Sequence, residues 1–349
     1  MFDVNNLIRS HISTLKPYSS ARDEYSGTEG IFLDANENPF GSALEHQQYN
    51  RYPDPYQKKV KEKLAKIKNC NPAQIFLGNG SDEPIDLLFR AFCEPKQDNV
   101  ILMPPTYGMY EVSADLNIVE TQKIKLTDDF QIDTAAVLKA INAHTKLIFV
   151  CSPNNPSANS LKKASIRALL SNFSGLVVVD EAYIDFASDA SWIDELLNFP
   201  NLVVLQTFSK AWGLAALRLG MAFASPEIIK VLNKIKPPYN INEVTQQLAL
   251  QALDNVAHKN EMVKSILAER ERLVQELSQI PCIITVYPSD ANFVLAKTTD
   301  AKNIYNYLAD KQVIVRDRSK VTLCENCLRI TIGTPIENQQ LIEKLKRYT

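Results

Sequence analysis

LVVVDEAYIDFASDASWIDELLNFPNLVVLQTFSK, residues 176–210, decides the fold. It holds two unbroken apolar runs rich in β-branched residues, 176–179 and 202–205, with a helical patch around 192–198 between them. A strand buried on both faces reads as a continuous apolar run, and such strands belong to parallel sheets covered by helices on both sides. Working outward, KLIFVCS (146–152) is a third run, and the helix-periodic LKKASIRALLSNF (161–173) follows it. VILMPP (100–105) and IFL (75–77) add two more strands. Strands alternating with helices predict βαβ units, hence an α/β fold with a parallel sheet.

The flanks change character. QKKVKEKLAKIK (57–68) carries Val60, Leu64 and Ile67 at helical spacing, with its lysines on a solvated face. EMVKSILAERERLVQELSQI (261–280) is a long helix whose length suits a bridge between domains. Beyond it, strands and helices alternate over short distances, which predicts a small α+β domain. We therefore divide the chain into an N-terminal arm (1–40), expected to pack with the small domain, a large domain (41–270) and a small domain (271–349).

Composition excludes several classes. The chain has 349 residues, 45% hydrophobic and 22% charged, enough for a sizeable core and too apolar for a disordered chain. The formal net charge of -2 excludes a generally basic nucleic-acid coat. No apolar run approaches the ~18 residues of a membrane span. The N-terminal residues MFDVNNLIRSHISTLKPYSS lack the apolar core of a secretion signal and read as a short amphipathic helix, so a cytoplasmic protein is expected. Cys324 and Cys327 form a lone CxxC; the four histidines lie elsewhere, so the pair reads as core thiols and no metal site is expected.

Chemistry collects where the strands end. In an open parallel sheet, ligands bind beyond the carboxyl ends of the strands. The run at 146–152 ends in Ser152-Pro153-Asn154-Asn155-Pro156, the run at 176–179 in Asp180-Glu181-Ala182-Tyr183, and the run at 202–205 in Thr207-Phe208-Ser209-Lys210. The strand at 100–103 ends in Pro104-Pro105-Thr106-Tyr107. One rim thus holds a carboxylate, phenols, an amide, hydroxyls and an amine. Gly78-Asn79-Gly80-Ser81 adds a strand–turn–helix whose free backbone N–H groups suit an anion. Alone, a lysine there is a solvated residue. Beside a strand-end carboxylate and an anion cradle, it suits a carbonyl cofactor whose ring nitrogen needs an anionic partner and whose phosphate needs hydroxyls and an arginine such as Arg218. Pyridoxal phosphate (PLP) fits that assembly better than any other common cofactor. A nicotinamide dinucleotide would need GxGxxG, and the turn at 78–83 lacks the third glycine.

GNGSDEPIDLLFRAF, PPTYGMYEVSA, CSPNNPSA, VVDEAYIDF, TFSKAWGLAALRLG and CLRITIGT occur in this order, preceded by KPYSSAR, DANENP and NRYPDP. Together they resemble the aminotransferases of PLP fold type I and, within them, the histidinol-phosphate aminotransferase branch. The similarity runs from about residue 15 to 335. It implies a large, mostly parallel seven-stranded sheet domain with a smaller α+β domain. By this resemblance Lys210 matches the lysine that holds the cofactor aldehyde, Asp180 the carboxylate paired with the ring nitrogen, and Tyr183 and Asn155 the pair at the ring's phenolic oxygen. Tyr107 matches the ring-stacking aromatic; Ser81, Asp82, Thr207, Ser209 and Arg218 match the phosphate cradle. Tyr52 matches a tyrosine that reaches the neighbouring subunit's cofactor, which implies a homodimer. Arg329 matches the arginine for the acceptor's carboxylate and the donor's phosphate; Arg316 and Tyr18 match further substrate contacts. The implied reaction is transfer of the amino group of L-histidinol phosphate to 2-oxoglutarate.

The chain departs from that pattern in the NNPSA turn. Ala158 stands where a glycine is usual, so the backbone there uses negative φ or carries strain. Pro84 falls in the first turn of its helix, where a missing N–H costs little. Arg318, close to Arg316 in VRDRSK, reads as part of a solvated turn. A phospho-amino-acid decarboxylase, an aromatic amino-acid aminotransferase and a non-catalytic PLP-binding regulator remain the alternatives.

Overall fold

The computed structural model describes residues 3–18, 30–44 and 49–348. Seven strands form the large sheet: β1 Ile75–Asn79, β2 Asn99–Leu102, β3 Glu120–Lys123, β4 Thr145–Cys151, β5 Leu176–Asp180, β6 Leu202–Thr207 and β7 Leu219–Ala224. Their order is β1-β7-β6-β5-β4-β2-β3, and only β7 runs antiparallel to its neighbours. Alternate residues enter two separate cores. Ile148, Val150, Val177, Val179 and Val204 face one side; Phe149, Val178, Val203 and Leu205 face the other. Both faces are therefore covered, which is why these strands show no polar alternation. Polar β3 (ETQK) sits at the sheet edge, where an apolar run is not required.

The small domain has a four-stranded antiparallel sheet: β8 Ile283–Val286, β9 Phe293–Thr298, β10 Arg316–Asp317 and β11 Cys327–Thr331, ordered β10-β11-β9-β8. Val294, Ala296, Leu328 and Ile330 pack on one face with Ile304, Leu308, Leu341 and Ile342 from two covering helices. The other face looks toward the large domain: Leu295 and Cys327 join the core of the large sheet, and Phe293 packs edge-on against Tyr183, ring centroids 5.0 Å apart. That face carries Arg329 as well, by the two-residue period from Cys327.

The bridging helix runs Val256–Leu277 and crosses the expected boundary at 270/271 without a break. Val263 belongs to the cluster beneath Tyr183, whereas Leu273 and Leu277 belong to the small-domain core. The arm differs from expectation. Its residues 4–14 lie on the large domain, not the small one. Val4 and Ile12 are buried beside Leu88 and Ile229. The Arg9 N–H donates to the Ala91 carbonyl at 3.0 Å, and the Arg9 guanidinium pairs with Glu94 at 3.2 Å. An amphipathic segment follows its apolar stripe, and the exposed sides of helices Asp82–Phe92 and Pro226–Ile235 offer the matching surface. The latter half of the KPYSSAR motif lies outside the described residues.

Candidate active site

A cleft opens at the carboxyl ends of β4, β5 and β6 and at the amino end of the helix after β1. It encloses about 600 Å³, part of it open to solvent, and is lined by Asp180, Tyr183, Asn155, Lys210 and Tyr107. Ser81, Asp82, Thr207, Ser209 and Arg218 complete the wall. Ten residues singled out in the sequence thus meet at one place, because parallel strands in register end together.

Asp180 is 3% exposed. Its Oδ2 accepts a 2.6 Å hydrogen bond from the hydroxyl of Tyr110, and its Oδ1 accepts one from the Ala182 N–H at 3.0 Å. Burial pushes the carboxyl above its ordinary value; these two donors and the amine of Lys210 oppose that rise. Tyr110 was not foreseen from the sequence. It is fully buried and stacks on Phe149 with centroids 4.7 Å apart, so its polar end aims at Asp180 while its ring packs as core. Its spacing of three from Tyr107, at the start of a helix, was the available signal. The next acid, Glu181, points away from the cleft. It accepts from Ser191 Oγ, the Trp192 N–H and Gln206 Nε2, and so fixes the loop below the cleft.

Lys210 lies at the cleft mouth, its Nζ 5.7 Å from the centroid of the Tyr183 ring. Desolvation of the amine, and then the positive charge of Arg329, hold it below the usual lysine value; Asp180 pulls the other way. Asn155 Nδ2 donates to the Tyr183 hydroxyl at 3.4 Å, and Asn155 Oδ1 accepts from Arg329 Nη1 at 2.6 Å. Burial drives the Tyr183 phenol upward, so it stays protonated. Tyr107 donates to Asp82 Oδ1 at 3.2 Å and meets Tyr110 edge to face.

Ser81, Asp82 and Arg218 form one part of the cleft wall, at the amino end of helix Asp82–Phe92. Gly80 takes φ +70° and its N–H donates to the Arg218 carbonyl at 2.6 Å. A Cβ at Gly80 would stand 2.6 Å from Arg218 Nη2, and one at Gly220 would stand 2.2 Å from the Gly80 carbonyl carbon, so both positions require glycine. Ser81 occupies the N-cap position of helix Asp82–Phe92, yet its side chain caps nothing and faces the cleft. Arg218 Nη2 lies 3.5 Å from Asp82 Oδ2. Hydroxyls, helix N–H groups, a guanidinium, a buried carboxylate and an amine, all at one cleft, form the donor set a phosphorylated pyridine aldehyde requires. The residues fit PLP.

Four candidates lie outside this wall. Arg329 reaches it through Asn155. Arg316 is opposite Arg329 in the β10–β11 ladder and exposed. Tyr18 is 74% exposed. Tyr52, 52% exposed, stacks on Tyr239 with centroids 4.5 Å apart and is not among the residues lining the cleft. Ala158 takes φ +70°, so the strained alternative holds; its methyl is buried with Tyr183 and Phe293, contacts that offset the cost. All six cysteines are free thiols, and among the described residues no group of His, Cys, Asp or Glu is arranged to hold a metal. No helix among them is long and apolar enough to cross a membrane.

Residues 27–345 match the family of class I and II aminotransferases, and the chain belongs to that family. Among its relatives, the chain is 58% identical over 347 residues to histidinol-phosphate aminotransferase from Cytophaga hutchinsonii, covering 99% of each. It is 55% identical over 346 residues to the enzyme of the same name from Parabacteroides distasonis, again covering 99% of each. In fold it is similar to histidinol-phosphate aminotransferase from Sinorhizobium meliloti in complex with pyridoxal-5'-phosphate, with TM-score 0.79 and 24% identity over 89% of each chain.

Proposed function

We propose that this chain is a PLP-dependent aminotransferase that moves the amino group of L-histidinol phosphate to 2-oxoglutarate, giving imidazole acetol phosphate and glutamate, a step of histidine biosynthesis. The observation that carries the reading is that Lys210 and buried Asp180 line one cleft together with Ser81, Thr207, Ser209 and Arg218, donors suited to a phosphate. The identity of 58% to a relative bearing that enzyme name supports the substrate.

PLP, when bound, supplies an electron sink that makes the donor's Cα–H acidic. Lys210 takes that proton at Nζ, and the lowered affinity of its amine for protons suits a base working near neutral pH. Asp180 would pair with the ring nitrogen, and the hydrogen bonds from Tyr110 and Ala182 favour its charged form and aim it. Asn155 and Tyr183 would hold the ring oxygen, and Tyr107 would cover the ring face. Ser81, Thr207, Ser209 and Arg218 would hold the cofactor phosphate; Asp82 orients Arg218 and Tyr107. Arg329 would take the substrate anion, with Arg316 and Tyr18 nearby in the assembled enzyme.

We also place the protein in the cytoplasm as a homodimer. Ile31, Leu33 and Phe40 are 91%, 86% and 96% exposed on the chain alone, an apolar surface that a second copy would cover. Tyr52, exposed and absent from the lining of its own cleft, suits a contribution to the partner's. The test is to incubate PLP-loaded protein with L-histidinol phosphate and 2-oxoglutarate. Glutamate without carbon dioxide supports the reading; carbon dioxide release, or no reaction, overturns it.

A further inference from the structure

Arg316, Arg318 and Arg329 share one face of the small sheet. Arg316 sits opposite Arg329 in the β10–β11 ladder. The Arg318 N–H donates to the Cys327 carbonyl at 2.9 Å, which extends the ladder by one more rung. Arg316 and Arg318 are two residues apart, so their side chains leave the same face, whereas Asp317 between them turns the other way and accepts the Ser319 N–H at 2.8 Å. This is the face that looks toward the cleft.

The cluster lacks counter-charge. Among the described residues, none of the three arginines forms an ion pair with a carboxylate. Arg329 spends one donor on a neutral amide, Asn155. Arg318 is more deeply committed: its Nε is buried and has no hydrogen-bond partner. Buried donors are almost always satisfied, and a guanidinium held among other guanidiniums is disfavoured unless an anion joins them. Burial, then the charges of Arg329 and Arg316, press the Arg318 guanidinium below the usual arginine value.

We infer that Arg318 is a specificity residue for the phosphate of the donor substrate, a third guanidinium that separates a phosphate monoester from a carboxylate. The inference rests on the proposed function. A carboxylate has one charge and two oxygens, which a single fork-shaped guanidinium satisfies. A phosphate monoester carries between one and a half and two charges near neutral pH and three acceptor oxygens. Arg329 answers to either anion, and Arg316 stands beside it at the exposed rim. The additional charge and acceptor of the phosphate are what an otherwise uncompensated Arg318 would meet.

The experiment compares L-histidinol phosphate with unphosphorylated L-histidinol as donors, on the PLP-loaded wild type, Arg318→Gln and Arg318→Lys. The expected result for Arg318→Gln is a fall of about ten- to a hundredfold in the ratio of kcat/KM for the phosphorylated over the plain donor, the loss expected for one charge-assisted hydrogen bond. Arg318→Lys recovers part of it. An equal fall for both donors, or an unchanged ratio, overturns the inference. If the wild type itself does not transaminate the phosphorylated donor, the proposed function fails instead. Should Arg318→Gln not fold, wild-type holoenzyme is treated with phenylglyoxal and the labelled arginines are mapped by mass spectrometry. Protection of Arg318 by inorganic phosphate supports the assignment; labelling unaffected by phosphate overturns it.

Discussion

Arg329, on the small sheet, donates a 2.6 Å hydrogen bond to the side-chain oxygen of Asn155, on the loop after β4 of the large sheet. The same amide donates to Tyr183. One asparagine therefore ties the Arg329 guanidinium, proposed to take the substrate anion, to the Tyr183 phenol in the cleft wall. Under the proposed function, an anion at Arg329 and a ring at Asn155 would be linked through a single planar group.

Arg329→Ala raises KM for L-histidinol phosphate and for 2-oxoglutarate together, by about tenfold or more, since both lose a charge-assisted contact. It also shifts the pH profile. Arg329 is the leading charge that depresses the Lys210 amine. Without it the amine holds its proton to higher pH, so the rise in rate that follows deprotonation moves toward alkali. Unchanged KM for both substrates, or an acid-ward move of that limb, contradicts the assignment.

Tyr110→Phe removes the 2.6 Å donor to Asp180 while keeping the ring stacked on Phe149. The carboxyl, already raised by burial, rises further. Turnover falls by roughly ten- to a hundredfold, the worth of one hydrogen bond to a charged group. Tyr110 acts through Asp180, so the pH profile discriminates: the acid limb of kcat moves upward, which lost packing alone does not produce.

Asp180→Asn cuts kcat by about 10²–10³-fold, as expected on removing a preorganised charge. The cofactor-free variant nevertheless melts at a higher temperature than wild type near pH 7. In the folded chain burial raises the Asp180 carboxyl above its unfolded value of about 3.9. The folded state then binds more protons than the unfolded one between those two values, so this group's contribution to stability falls as pH rises across that window. The advantage of Asn is full above the raised value and vanishes below about pH 4. Calorimetry at both pH values checks the sign.

Tyr52 provides a complementation test of the dimer. Lys210→Ala and Tyr52→Ala are each expected to be almost inactive. When the two are unfolded and refolded together, a mixed dimer carries both defects in one site and neither in the other. Recovered activity supports a tyrosine donated across the interface; none contradicts it.

The central site was legible because a parallel sheet brings strand ends together: once residues 146–152, 176–183 and 202–210 were read as strands, Asn155, Asp180 and Lys210 had to meet. Tyr110 was hidden because a buried aromatic in a helix looks like core until its hydroxyl is placed. Arg318 was hidden in a charged turn whose burial depends on contacts far away in sequence. Polar β3 gives no apolar pattern, and the arm's seat on the large domain follows from partners, Ala91 and Lys234, that no local pattern points to.

The most direct test of the account is reductive trapping. PLP-loaded protein is treated with borohydride, digested, and its peptides are weighed. The added cofactor mass is expected on Lys210 and on no other lysine. That mass on a different lysine, or on none, would contradict it.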